Sequence, residues 1–119
     1  MKYLLFCCHD EKKFDSMSKS ECETPMDETS AYCEAHEKGG HLILAEPLES
    51  VQTAMTVRVR GGDLSVTDGP FAETKEQIGG FFLINAQDLN EAIQVASKFP
   101  SARLGSLEVR PVREFKASR

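Results

Sequence analysis

Two short segments of this chain are apolar on both of their faces. Residues 3–8 read Tyr-Leu-Leu-Phe-Cys-Cys, and residues 81–85 read Phe-Phe-Leu-Ile-Asn. A strand sends successive side chains to opposite sides, so a run without alternation must be covered on both. Such strands belong in the interior of a sheet, with neighbours on either edge. That requirement limits the fold more than any other feature of the sequence.

The segments between them supply the rest of the pattern. After the charged run 9–13 and an ambiguous stretch 14–22, at most a helical turn, residues 24–38 predict a helix. Thr24 is a fitting N-cap, Pro25 suits the first helical position, and Asp27 and Glu28 face the positive end of the helix dipole. Gly39-Gly40 provides the exit. The expected buried set is Met26, Thr29, Cys33 and either Tyr32 or His36. Residues 41–45 form a second strand, which Pro47 ends or bends. Residues 53–60 alternate, with Met55, Val57 and Val59 on one side and Thr56, Arg58 and Arg60 on the other. Gly61-Gly62-Asp63 turns the chain and residues 64–67 return, a hairpin with one solvated or pocket-facing side.

After the loop that follows, residues 81–85 are a strand again. Asp88 caps a second helix, with Glu91 three residues on. Its expected buried stripe is Leu89, Ala92, Ile93, Ala96 and Phe99, and Pro100 stops it. The last strand is 105–112, with Leu107 and Val109 facing in and Glu108 and Arg110 facing out.

Without the hairpin the order is strand, helix, strand, strand, helix, strand. This is the α+β, ferredoxin-like βαββαβ arrangement, in one domain covering residues 1–119. Its first and third strands lie in the middle of the sheet, and these are the two that are apolar throughout. Two helices cover only one face. Leaving the other in water would cost several kcal/mol at about 25 cal/mol per Å² of apolar area. The economical cover is the same face of a second copy, which predicts a sheet-on-sheet homodimer.

Charge and cysteines narrow the partners. Nineteen Asp and Glu against 14 Lys and Arg give a net charge of -5, so direct nucleic-acid binding is not expected. Arg110, Arg113, Lys116 and Arg119 gather near the C-terminus and read as a solvated tail. No apolar run reaches membrane-spanning length, and the start lacks a leader-like cleavage site, so the expectation is a cytoplasmic protein. The spacing of Cys7, Cys8, Cys22 and Cys33 fits no zinc or redox motif, and they read as free thiols.

Several stretches together resemble a known family. Asp68-Gly69-Pro70-Phe71, then Glu73-Thr74-Lys75-Glu76 and Gly79-Gly80-Phe81, are similar to the motif of DGPF-type proteins in the YCII-related group. Lys2-Tyr3-Leu4-Leu5 at the start and residues 105–112 at the end fit the same family, so the likeness covers nearly the whole chain. The resemblance implies a dimeric α+β barrel. It also implies a genomic association with alternative sigma factors, which carries no mechanism. Shorter relatives carry a His on the first helix and an Asp before a Pro after the second, proposed to be catalytic. Aligned on Ala45-Glu46-Pro47, those positions hold Thr29 and Phe99 here, and neither acid–base group is present.

Among candidate site residues Asp68 comes first. Its carboxylate either accepts hydrogen bonds from the amides of the Gly-Pro turn, or serves a ligand or acts as a general base in a cleft. Glu73, Lys75 and Glu76 are its companions or a solvated loop. Phe71 reads as a core anchor. Gly69, Gly79 and Gly80 read as turn and bulge residues, since no phosphate-loop spacing surrounds them. His41 and Arg58 can orient a polar or anionic ligand if the polar side of the hairpin closes a pocket, and Arg103 is a further candidate. Alternation puts Cys7 and His9 on one face of the first strand. Two ligands are too few for zinc, so no metal and no cofactor are expected; the alternative to a site is a pair of small buried thiols and a surface His.

Two functions remain open from the sequence. One is a pocket near the Asp68–Phe71 loop that binds or transforms a small polar or aromatic molecule. The other is a non-catalytic accessory protein of a sigma-factor-linked regulatory system. The first expects Asp68 to point into a concave pocket; the second expects a shallow Asp68 site and an exposed apolar patch beyond the dimer interface.

Overall fold

The two doubly apolar segments lie side by side in the middle of a four-stranded antiparallel sheet. β1 (Lys2–His9) pairs with β5 (Gln77–Asn85), placing Leu4 opposite Leu83 and Phe6 opposite Phe81. β2 (Leu42–Pro47) lies outside β5 and β6 (Ser106–Pro111) outside β1, giving the order β2-β5-β1-β6. This computed structural model describes residues 1–114, with residues 22–24 described by their backbone only. The expected βαββαβ order with an inserted hairpin is present.

The first long helix, α2 (Lys19–Lys38), begins five residues before the expected start. Ser18 caps it: its hydroxyl accepts from the Glu21 amide at 3.2 Å, and the Glu21 carboxylate accepts from the Ser18 amide at 3.0 Å. This reciprocal cap satisfies two donors at once, so the helix starts there and carries Pro25 inside it. The Pro25 nitrogen donates nothing to the preceding turn, and the Thr29 hydroxyl donates to the Pro25 carbonyl at 2.8 Å. The Thr24 side chain, expected as the cap, lies outside the described residues, as do the Cys22 side chain, Lys116 and Arg119. A short helix, α1 (Glu11–Asp15), occupies the charged run after β1. Its Glu11 carboxylate accepts from the Ser50 hydroxyl at 2.9 Å and the Val51 amide at 2.7 Å, pinning the turn that follows β2.

α3 (Leu89–Ser97) is capped by Asp88, whose carboxylate accepts from the Glu91 amide at 2.9 Å. Its buried positions are Ala92, Val95 and Ala96, continued by Phe99. Leu89 and Ile93, expected inside, are each 48% exposed. The stripe at 92, 95, 96 and 99 has the i, i+3, i+4, i+7 spacing, and its two alanines let the helix approach the sheet closely. Leu89 and Ile93 fall on the neighbouring stripe. α3 ends at Ser97 with Lys98 as its C-cap, and Pro100 opens a further turn, α4 (Ser101–Leu104).

One core results, between the helices and one sheet face. Tyr3, Leu5, Cys7, Phe82 and Ile84 meet Ala92, Val95, Ala96 and Phe99. The Phe99 ring stacks on Phe82 at 4.0 Å and meets Tyr32 edge-on at 4.5 Å, while the Tyr32 hydroxyl donates to the Val95 carbonyl at 2.9 Å. Tyr32 and His36 are both half-buried, whereas Met26, expected in the core, is 66% exposed. On the opposite sheet face Leu4, Phe6, Phe81 and Leu83 are half-buried, away from the helix-covered core, with the single turn Val51–Thr53 against β5.

The inserted hairpin is a separate two-stranded sheet, β3 (Met55–Arg60) and β4 (Asp63–Asp68). Gly61 and Gly62 have φ of +58° and +85°, the left-handed pair that a tight two-residue turn demands. Its base is tied by the Gly69 amide on the Ala54 carbonyl at 2.7 Å and by the Thr56 hydroxyl on the Gly69 carbonyl at 2.8 Å.

Leu5 is fully buried at the centre of the core. Leu5→Ala is expected to lower unfolding free energy by about 2–5 kcal/mol, read by urea denaturation, whereas an exposed change such as Ile93→Ala should cost far less.

Candidate functional site

Close approach of β1 to its neighbours shapes one end of the sheet. The pairing of β1 with β5 slips between Cys7 and Cys8, leaving Gly79 as an extra residue in β5. The His9 imidazole lies across Gly79: a Cβ there would stand 2.0 Å from the ring. Phe14 meets the same ring edge-on at 4.6 Å. A Cβ on Gly80 would stand 3.0 Å from the Glu46 carbonyl oxygen, and one on Gly105 would stand 2.2 Å from the Cys8 carbonyl oxygen. The bare backbone at these glycines lets β5 and the start of β6 sit tight against β1, and β2 tight against β5.

Above this end, α2 and α4 stand over the sheet and leave a hollow of about 370 Å³. Phe14, Pro25, Met26, Ala45, Phe82, Pro100 and Leu104 form apolar walls. The polar groups are few: His9 at one side, Glu46 from β2, Thr29 and Ser30 from α2, Ser101 from α4, and the thiols of Cys7 and Cys33. Thr29 and Phe99 are the positions where the shorter relatives' acid–base pair would fall. Thr29 lines the hollow, and Phe99 lies beneath it, stacked on Phe82.

Burial pushes the Cys7 thiol up to about 11, against a smaller opposite effect of its hydrogen bond with Ser101. Burial also raises Cys8 and Cys33. These are protonated, inert thiols near neutral pH. Among the described residues, no three His, Cys, Asp or Glu side chains are grouped to hold a metal ion.

A second, wider hollow of about 930 Å³ lies on the opposite sheet face. Phe6 and Cys8 floor it, Met55 and Val57 of the hairpin and Phe71 of the loop stand around it, and Glu108 and Arg110 edge it. The Arg110 guanidinium lies 5.6 Å from the centre of the Phe6 ring and pairs with Glu108. Arg110 therefore belongs to the sheet face, not to a solvated tail.

The candidate residues chosen from the sequence do not converge. Asp68 ends β4 opposite Met55, is exposed, and lines neither hollow. Glu73 and Lys75 are exposed in the loop. Arg58 sits on the hairpin opposite Ser65, exposed. His41 is at the far end of β5, with Nδ1 3.2 Å from the Asn85 carbonyl oxygen and 3.6 Å from the Glu91 carboxylate. Arg103 makes a surface pair with Glu28 at 2.9 Å. Phe71, read as a core anchor, is 78% exposed, because the loop carries it off the helix-covered core. Ser30 and Ser101 do not stand out as ligand groups in the sequence, and His9, set there beside Cys7 as a zinc ligand, reads as a surface residue. The alternation of β1, which puts Cys7 and His9 on one face, is the available signal for His9.

A family model described as the YCII-related domain matches residues 1–116. The chain is 39% identical over 118 residues to an uncharacterised protein of Rhizobium meliloti (strain 1021), covering 98% of this chain and 95% of that one. Among solved structures, 5-chloro-2-hydroxyhydroquinone dehydrochlorinase from Burkholderia phenoliruptrix AC1100, in complex with 2,5-dihydroxybenzoquinone, superposes with a TM-score of 0.52. That match covers all of both chains at 12% identity, so it speaks to the fold. Among the described residues no helix is long and apolar enough to cross a membrane.

The raised Cys7 thiol has a signed consequence. Its unfolded value is near 9.0 and its folded value about 11, so its contribution to stability is complete below pH 9 and is lost as pH climbs from 9 to 11. At pH 8 the folded chain should alkylate at Cys7 on the order of a hundredfold more slowly than the urea-unfolded chain. Iodoacetamide labelling followed by peptide mass spectrometry reads this directly.

Proposed function

This chain belongs to the YCII-related family, and we propose that it binds a small one-ring molecule in the hollow between α2, α4 and the sheet. The observation that carries the reading is that hollow itself: about 370 Å³, walled by apolar side chains, with a few hydroxyls, one imidazole and the Glu46 carboxylate. Binding sites for small molecules combine an apolar concave wall with a small number of polar groups that set orientation. A cavity of about 150 Å³ already holds benzene, so this one admits a substituted ring. The polar groups suit a neutral or phenolic compound better than an anionic one, since Glu46 lines the hollow and no Lys or Arg among the described residues does. The dehydrochlorinase of the same fold is a protein solved in complex with a one-ring quinone, which is compatible with this ligand class.

His9 is the group suited to hydrogen-bond or exchange a proton with the ligand. The Phe14 ring and the Gly79 backbone hold its imidazole in place. Cys7 does not serve as a nucleophile in this reading, because burial keeps it protonated. Asp68, Glu73 and Lys75 lie apart from the ligand.

The chain acts as a homodimer in this proposal. Leu4, Phe6, Phe81 and Leu83 face away from both helices, and a second copy of the same face is the cover that fits them. A non-catalytic role through protein contacts is the second reading. It is favoured by the exposed apolar side of the hairpin.

Calorimetric titration with 2,5-dihydroxybenzoquinone and a set of one-ring phenols tests the pocket. Thr29→Phe fills it from α2 and should weaken binding at least tenfold while leaving the circular dichroism unchanged. Equal binding by the variant, or binding shifts mapped to Asp68 and Lys75, would move the ligand elsewhere. Light scattering should report a dimer at micromolar concentration, and a monomer there contradicts the covered-face argument.

A further inference from the structure

The inserted hairpin presents an apolar side that nothing among the described residues covers. Cross-strand pairing aligns Val57 with Val66 and Val59 with Leu64, and Met55 continues the row. All five side chains are between 50% (Val66) and 68% (Leu64) exposed. The opposite side carries Thr56, Arg58, Ser65 and Thr67, the normal composition of a solvated face. A lone two-stranded hairpin is marginal in water and needs its apolar side packed on something. Here the two strands form a sheet of their own, joined to no other strand among the described residues.

The shape of the chain agrees. Its radius of gyration is 16.5 Å, whereas a close-packed chain of this length has about 13–14 Å. It is 47 Å across in two directions and only 20 Å thick, room for one sheet and one helix layer. The hairpin reaches outward instead of folding back.

We propose that β3–β4 is a dimer arm: its apolar side packs on a second copy of this chain and closes that copy's hollow beside Phe6 and Phe71. The proposal rests on the paired-sheet reading above and goes beyond it, by assigning the arm and the second hollow. Three points select a second copy as the occupant. Met55 and Val57 stand around the same hollow that Phe6 and Cys8 floor, so the row and the uncovered sheet face open toward one space. Burying five such side chains from their present exposure removes roughly 300 Å², well short of the ~800 Å² per partner of a stable interface. The row is therefore too small to hold a separate partner, and it completes an interface only together with the sheet face. Finally, the row is uncharged, so two chains of net charge -5 meet there without repulsion. A two-fold axis then places each arm on the other copy, and the hollow beside Phe71 gains a wall that its own chain lacks.

The chain contains no tryptophan, so a single introduced indole reports its own surroundings. Val57→Trp should emit blue-shifted in the dimer and shift to the red on dilution to monomer. Ser65→Trp, on the polar side, should emit as a solvent-exposed indole throughout. Val57→Glu should raise the dimer dissociation constant at least tenfold by sedimentation equilibrium. If that variant fails to fold by circular dichroism, the two tryptophan variants decide alone. The arm is overturned, and the paired sheets left standing, if the Val57→Trp indole stays solvent-like in a dimer whose dissociation constant Val57→Glu does not move. A blue shift that persists in the monomer means the arm packs on its own chain and also overturns it. A wild-type monomer overturns both readings.

Discussion

Burial of β1 and β5 on their helix-facing side organises the molecule. Leu5 and Ile84 reach zero exposure there, and Tyr3, Cys7 and Phe82 lie close to it. The main sheet and its long helices are placed by that pair: β2 and β6 satisfy its two outer edges, and α2 and α3 cover one side. Leu4, Phe6, Phe81 and Leu83 on the other side are only half-buried, because both long helices are committed to the first side. The asymmetry between the two faces explains why the hairpin and the loop after it stand around a wide hollow on the uncovered side.

The helix-side hollow comes from a different constraint, the crowding of backbones at the Cys7–His9 end of β1. Gly79, Gly80 and Gly105 each occupy a place where a Cβ would strike a neighbour. Without side chains at 79 and 80, the His9 ring and the Glu46 carbonyl settle against β5. The pocket floor is formed in part by that bare backbone, and α2 and α4 supply the walls. The glycines after the charged loop thus act through packing at the pocket, while Asp68 and Phe71 before the loop stand at the surface of the other face.

Much of this architecture is legible in the sequence. The doubly apolar runs, the Gly61-Gly62 turn and the Asp88 cap each have a local physical cause that no distant contact overrides. Three features are not. Ser18 and Glu21 lie in a stretch with weak apolar periodicity, and the Thr24-Pro25 pair offers a plausible later start, so the sequence places the beginning of α2 too late. Leu89 and Ile93 share a helical period with Ala92 and Ala96, and hydrophobicity favours the larger residues. The choice of the alanine stripe depends on how near the helix must come to Phe82. Phe71 is aromatic and follows a turn, which suits a core anchor, but the loop leads it away from the helix-covered core.

From the sequence alone, then, came the strand order, the central place of residues 3–8 and 81–85, and the excess of apolar surface over what two helices can hide. These follow from periodicity and from the cost of wetting hydrocarbon, both of which are local or additive properties. Tertiary structure decided which polar side chains share a space. It drew His9, Thr29, Ser30 and Ser101 from three separate elements around one hollow and left Asp68, Arg58 and His41 scattered. That outcome turns on a one-residue slip in the β1–β5 register and on helix-to-sheet distance, and neither is written in the period of any single segment.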